Sequence, residues 1–279
     1  VCDLIDGLKP ADRNCVINPE IMPLISEQIS CWRGRRFLPG GQAIYRNFDT
    51  LELLVMPPDR FTGENKGCLA TITLRHPPAN AISSAMLRDL ERAMDVVEYN
   101  SQVGAVVLCS QTPGLFIAGA DINQMYRKLN KRSSAREFAL RARHLFSRIE
   151  QMDKPIIAAM DGAALGGGNE LAMACHYRIG SWRTQVGQPE INLFVVPGFG
   201  ATQRLPRLII DHLGTLDDGL PEALLMLIGG HSVDAGRAVE LGLLNEIAEG
   251  PADPLSQAKK LALEWIHGES ECLNQALFH

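Results

Sequence analysis

The 279-residue sequence lacks any apolar run approaching the roughly 20 residues that a membrane-spanning helix needs, which excludes a helical transmembrane protein. It also lacks an excess of positive charge. Its 27 Lys and Arg stand against 32 Asp and Glu, a formal net charge of -5, so no general basic field would gather nucleic acid or an anionic membrane surface. Neither is an expected partner. Cysteine pairing is missing too: the seven cysteines (Cys2, Cys15, Cys31, Cys68, Cys109, Cys175, Cys272) are odd in number and form no CxxC pair. Reduced, buried thiols are the expectation, in a reducing compartment, the cytoplasm before the mitochondrial matrix. The histidines show no HExxH or other paired spacing, so no metal is expected. Val1 stands without an initiator Met and without a charged stretch leading into an apolar one. That reads as a processing or cloning boundary, or the edge of a fragment, and not as a secretory leader.

What is present is an ordinary globular composition, 46% hydrophobic and 21% charged, in a chain long enough for one main domain with appendages. Residues 1–60 hold prolines at 10, 19, 23, 39, 57 and 58 and the patch RGRR (33–36), with little periodicity, and read as an N-terminal extension of unknown role. The core is assigned to 61–250. In GCLATITL (67–74), Ala70, Ile72 and Leu74 alternate with Leu69, Thr71 and Thr73, predicting a strand that stops at HPPAN. Ile82, Met86, Leu87, Leu90, Met94 and Val97 recur at helical spacing. The run GAVVLCS (104–110) predicts a strand, 136–152 a long helix, and PIIAAMDG (155–162) another buried strand. This alternation implies an α/β domain. Residues 207–230 and 234–248 read as helical, as does 253–269 within a C-terminal segment, 251–279, that is expected to be shortened. Eight basic residues (Arg127, Lys128, Lys131, Arg132, Arg136, Arg141, Arg143, Arg148) lie at helical spacing, as a solvated helix face or as the mouth of an anion site.

The chemistry concentrates in GAALGGGNELAMA (162–174). A glycine run opening a helix presents unpaired N–H groups at the positive end of the helix dipole, where a ligand oxygen becoming anionic is stabilised. The plainer alternative is a tight turn with close helix packing. Glu170, in the first helical turn, either complements that dipole or serves as an acid or base. A second acid, Glu190, follows Pro189 in VGQPEINLFVVPGFG (186–200), and two glutamates in apolar segments are costly unless hydrogen-bonded or used. GLFIAGADINQM (114–125) puts Ala118, Gly119 and Ala120 where a ligand could lie against backbone.

FIAGADI, GAALGGGNELAMACHYRI, GQPEINLFVVPGFGATQRLPRL and AGRAVELGLL together resemble the enoyl-CoA hydratase/isomerase, or crotonase, superfamily, in order and spacing from about residue 67 to 248. HPPANAIS (76–83) is similar to the family's Asn-Ala turn. The resemblance implies an α/β crotonase-like spiral of ββα repeats with C-terminal helices. It implies an acyl-CoA substrate, no cofactor apart from the coenzyme A of that substrate, and homotrimers or hexamers. By position, Glu170 and Glu190 match the catalytic acids of the hydratase branch, and the amides of Ala120 and Gly167 match the oxyanion hole. Ala79, Ala118, Ala120, Asp121, Ile122, Leu165, Gly167, Pro189 and Gly198 match substrate-lining positions. Asn123 departs from the family, standing where many hydratases have a Lys near the CoA phosphates. Hydration of an enoyl-CoA is the expected reaction. Double-bond isomerisation, or chemistry on a cyclic acyl-CoA, is the alternative within the superfamily, and a non-catalytic structural or RNA-binding role the alternative outside it.

Overall fold

The computed structural model of the chain describes residues 44–56, 67–129, 132–249 and 253–269. The RGRR patch, Lys131 and Cys2, Cys15, Cys31 and Cys272 lie outside the described residues.

Within the stretch read as an irregular extension, β1 (Ile44–Asn47) and β2 (Leu51–Met56) form an antiparallel hairpin, and β2 pairs antiparallel with β3 (Cys68–Leu74). Leu51, Leu53 and Val55 alternate inward along β2 and are fully buried. This period-2 signal is only six residues long and was masked by the flanking prolines.

Then β3 is followed by α1 (Ser84–Tyr99), whose N-terminus is capped by the Ser83 hydroxyl accepting from the Met86 amide. Ile82, expected inside the helix, lies just before it. From there the chain climbs in three turns. The first is β4 (Val103–Ser110), β5 (Leu115–Ile117), α2 (Ile122–Leu129) and α3 (Arg132–Glu150). The second is β6 (Ile156–Met160), β7 (Ala163–Leu165) and α4 (Gly167–Ala174). The third is β8 (Tyr177–Gly180), β9 (Gln185–Gly187), a 3-10 turn (Pro189–Leu193), α5 (Ala201–Leu213) and α6 (Leu216–Leu227). β10 (Ser232–Asp234), α7 (Ala235–Glu240), β11 (Glu246–Ile247) and α8 (Pro254–His267) complete the described chain.

Each turn therefore contributes one strand to each of two sheets before its helices. The larger sheet has the order β1-β2-β3-β4-β6-β8-β11, parallel from β3 onward, and the smaller the order β10-β9-β7-β5. This is the expected ββα spiral.

The larger sheet is covered on both faces, which explains why β4 and β6 read as continuous apolar runs. Ala70, Ile72, Val106, Leu108 and Ala158 face the main core with α1 and α3. Leu69, Ala105, Val107, Ile157 and Ile179 face Ala258, Leu261, Ala262 and Ile266 of α8. Alternation in β3 thus separates two buried faces, with Thr71 also buried. Residues 207–230 form two helices rather than one, because Gly214 takes the left-handed conformation and Thr215 caps α6. In 234–248 only Ala235–Glu240 is helical, since the following residues turn at Gly242 and pair β11 with β8.

Two members of the basic cluster are spent on structure. Arg141 pairs with Glu91, and Arg148 with Asp95 at 2.8 Å and with Glu98, joining α3 to α1. Cys68, Cys109 and Cys175 are buried free thiols. No described helix is long and apolar enough to cross a membrane, and the described residues contain no cluster of metal-ligating side chains.

Candidate active site

The parallel order of the small sheet brings the ends of β5 and β7 side by side and delivers the chain after each to one open cavity of about 210 Å³. Gly166 enters α4 at φ 52, and a Cβ there would lie 2.7 Å from Glu190 Oε1; a Cβ on Gly168 would lie 2.4 Å from the Ile117 carbonyl oxygen. The glycine run therefore meets two needs at once, a left-handed entry and a helix pressed against β5. Every residue of α4 is buried, including Glu170 at 1% exposure.

Asn80 holds the facing loop. Itself left-handed at φ 48 and fully buried, it accepts from the His76 amide at 2.7 Å and donates to Ser110 Oγ at 2.7 Å and to the Phe116 carbonyl at 3.1 Å. Ile82 then bridges Ala120 in parallel register: the Ile82 amide donates to the Gly119 carbonyl at 2.8 Å and the Asp121 amide to the Ile82 carbonyl at 3.0 Å. In such a bridge the N–H of Ala120 points away from Ile82. That amide and the unpaired amides at the start of α4 are the donors the cavity offers.

The two carboxyl groups have different settings. Glu170 Oε1 accepts from the Phe199 and Ala201 amides, both at 2.8 Å, and so sits at the N-terminus of α5. Burial raises its pKa, against those amides and the charge of Arg204. Glu190 opens the 3-10 turn and is half-buried; burial, then the neighbouring Glu170, push it up to about 7. The fully buried Gln188 supports it. With its amide oriented by the hydrogen-bond network, Gln188 donates to both Glu190 oxygens at 3.0 and 3.1 Å and accepts from Asn169 Nδ2 at 3.1 Å.

Of the residues expected from sequence, Glu170, Glu190, Ala118, Ala120, Ile122, Gly167, Pro189 and Gly198 line this cavity together. Ala79, Asp121 and Leu165 do not line it. Ala79 accepts from the Ala118 amide at 3.1 Å, Asp121 caps α2 by accepting from the Gln124 amide at 2.9 Å, and Leu165 ends β7. These three are expected from the resemblance as positions beside the bound substrate, and they flank the loop and strand that carry the lining residues. The exposed 191–194 also departs from expectation: the segment is apolar without being buried, with Phe194 at 95% exposure. Sequence reasoning missed Gln188 and Asn169, ordinary amides beside the two acids, and the wall of Phe138 and Phe199. Those rings meet edge to face at 5.5 Å, with Phe146 behind Phe199 at 5.9 Å.

A sheltered carboxyl pair, one member titrating near neutrality, facing free backbone amides is the equipment of an acid–base enzyme. Comparison with known proteins gives the particular family. Residues 64–277 match the family model described as enoyl-CoA hydratase/isomerase. The chain is 37% identical over 200 residues to the short-chain-enoyl-CoA hydratase of Clostridium acetobutylicum, covering 71% of this chain and 72% of the relative. It is 39% identical over 194 residues to the human peroxisomal bifunctional enzyme, covering 70% of this chain and 24% of that longer protein. A crystal structure of enoyl-CoA hydratase from Bacillus anthracis superposes with a TM-score of 0.61 at 30% identity, covering 72% of each chain. The chain belongs to the enoyl-CoA hydratase/isomerase family.

Proposed function

We propose that the chain is an enoyl-CoA hydratase, adding water across the 2,3 double bond of an acyl-CoA thioester. The observation that carries this reading is the joint placement of Glu170 and Glu190 on one cavity beside the amides of Ala120 and Gly167. The thioester oxygen lies between those two amides, which hold the enolate charge that develops on it; such a donor is commonly worth about 3 to 4 kcal/mol. One water sits between the carboxyl groups. Glu170, as carboxylate, takes a proton from the water as its oxygen bonds to C3; Glu190, protonated, gives its proton to C2 as the enolate collapses. The sum is one water added, after which the pair again shares one proton. Two carboxyls this close resist double ionisation, which keeps that proton available. The presence of both acids favours hydration over isomerisation.

The cavity is smaller than the roughly 300 to 1,000 Å³ typical of sites for drug-sized ligands. Phe138 and Phe199 close the acyl end, so the acyl group is short and the rest of the CoA lies outside. No cofactor enters the reaction. The same reading carries assembly into homotrimers or hexamers. Its support is an exposed apolar stripe along α6 and its C-cap, Leu216, Leu220, Leu224 and Ile228, together with Leu193 and Phe194 at the end of the neighbouring turn.

The test follows loss of the conjugated thioester absorbance of crotonyl-CoA with the parent chain, Glu170→Gln and Glu190→Gln. Rapid loss in the parent and near silence in both variants is the expected result. Binding of the thioester without loss of absorbance would overturn the assignment.

A further inference from the structure

Among the buried charges that the mechanism does not use, one lies against the carboxyl pair. Arg204, in the first turns of α5, is 4% exposed and lies behind the turn that holds Glu170. Its Nη1 donates to the Phe199 carbonyl at 3.1 Å; its Nη2 donates to Glu150 Oε2 at 2.7 Å and to Ser147 Oγ at 3.3 Å on α3. Nε is buried and has no acceptor among the described residues. A Cβ on Gly200 would come within 2.2 Å of Nη1, so the turn is moulded to the guanidinium. Packing alone would be better served by an apolar side chain, since a buried donor without a partner is destabilising.

We propose that Arg204 is a positioning residue for the carboxyl pair: it pins the Phe199–Ala201 turn, fixes the amides that hold Glu170, and biases the shared proton onto Glu190. The connection is short. The carbonyl that accepts from Arg204 shares its peptide unit with the Gly200 amide, which bears on Glu170 beside the Phe199 and Ala201 amides, and a cation on that carbonyl polarises the peptide and strengthens its N–H as a donor. The charge itself also favours Glu170 as an anion. Among the described residues no such cation bears on Glu190: burial and Glu170 raise it, and its own backbone and the Gln188 amide act against them. The amides and the cation of α5 thus favour the anion at Glu170 against the burial that raises its pKa, and so set the two glutamates apart. The groups that bear on this charge are few. Glu190 faces Glu170 from the 3-10 turn, and Glu150 and Ser147 face Arg204 from α3. Arg207 shares Glu150 at 3.3 Å, His176 lies within the field of Glu150, and Cys175, at the end of α4, lies within the fields of the buried Arg178 and of Arg204.

This inference rests on the carboxyl pair of the proposed function, so its test reads Glu170 directly as well as turnover. Infrared difference spectra of the protonated carboxyl, assigned with Glu170→Gln, report the ionisation of Glu170 whether or not crotonyl-CoA is the substrate. In Arg204→Met the Glu170 titration and the acid limb of the pH–rate profile both move to higher pH. At neutral pH kcat falls about ten- to a hundredfold while KM changes little. Arg204→Lys, which keeps the charge and loses the fork, restores the limb more fully than the rate. Should Arg204→Met fail to fold, Glu150→Gln carries the test: removing the countercharge moves the limb the opposite way, to lower pH. A titration and limb that stay in place in folded Arg204→Met, or in Glu150→Gln, overturn the proposal. An inactive parent in which the Glu170 titration still moves would refute the assigned reaction and leave the role of Arg204 standing.

Discussion

The two walls of the cavity are built differently. One is α4, with every residue buried, entered through a left-handed glycine and pressed on β5 so closely that a methyl group on Gly168 would strike the Ile117 carbonyl. The other is the 3-10 turn and its continuation, where no residue of Pro189–Leu193 is buried and Phe194 and Val196 lie open at 95% and 70% exposure. The amide of Gly167 and Glu170 belong to the first wall, Glu190 to the second. On the proposed mechanism the buried helix thus carries one of the two amides and the base that must meet the reacting atoms within a fraction of an ångström. The group proposed to donate a proton stands on a turn held by Gln188 and by its own backbone.

The comparison can be broken most forcefully at the acids. Glu170→Gln and Glu190→Gln should each lower kcat on crotonyl-CoA by about a hundred- to ten-thousandfold, with little change in melting temperature. The rigid wall comes next: Gly168→Ala should destabilise the fold by about 1 to 3 kcal/mol in denaturant unfolding, because a backbone carbonyl must move. Third is the acyl end. Phe138→Ala should shift kcat/KM toward hexenoyl-CoA over crotonyl-CoA by about tenfold. The pH dependence sharpens the division of roles: as pH rises through about 7, Glu190 loses the proton it must deliver, so kcat/KM declines on the alkaline side, while at low pH it falls as Glu170 becomes protonated. The smallest effect is expected on the open wall, where Phe194→Ser should change thermal stability by less than about 0.5 kcal/mol yet reduce assembly in light scattering.

The sequence carries the strands of the α/β domain well where apolar runs and glycine stops mark them, as in 104–110, 155–162 and the entry to α4, while their winding into a spiral is expected from the family resemblance. It carries the β1–β2 hairpin poorly, since six alternating residues between prolines give too short a signal. Both glutamates and the glycine run were legible because a charged residue in an apolar segment is costly without a use. Gln188, Asn169 and Arg204 were not, because their importance lies in which buried atom each one touches.

The most direct test of the central account is to incubate crotonyl-CoA in deuterated water with the parent chain and each single glutamine variant, and to analyse the product by mass and NMR. The account predicts a 3-hydroxyacyl-CoA carrying one deuterium at C2, formed rapidly by the parent and almost not at all by Glu170→Gln or Glu190→Gln. A product without added water, or a variant that retains parental turnover, would contradict it.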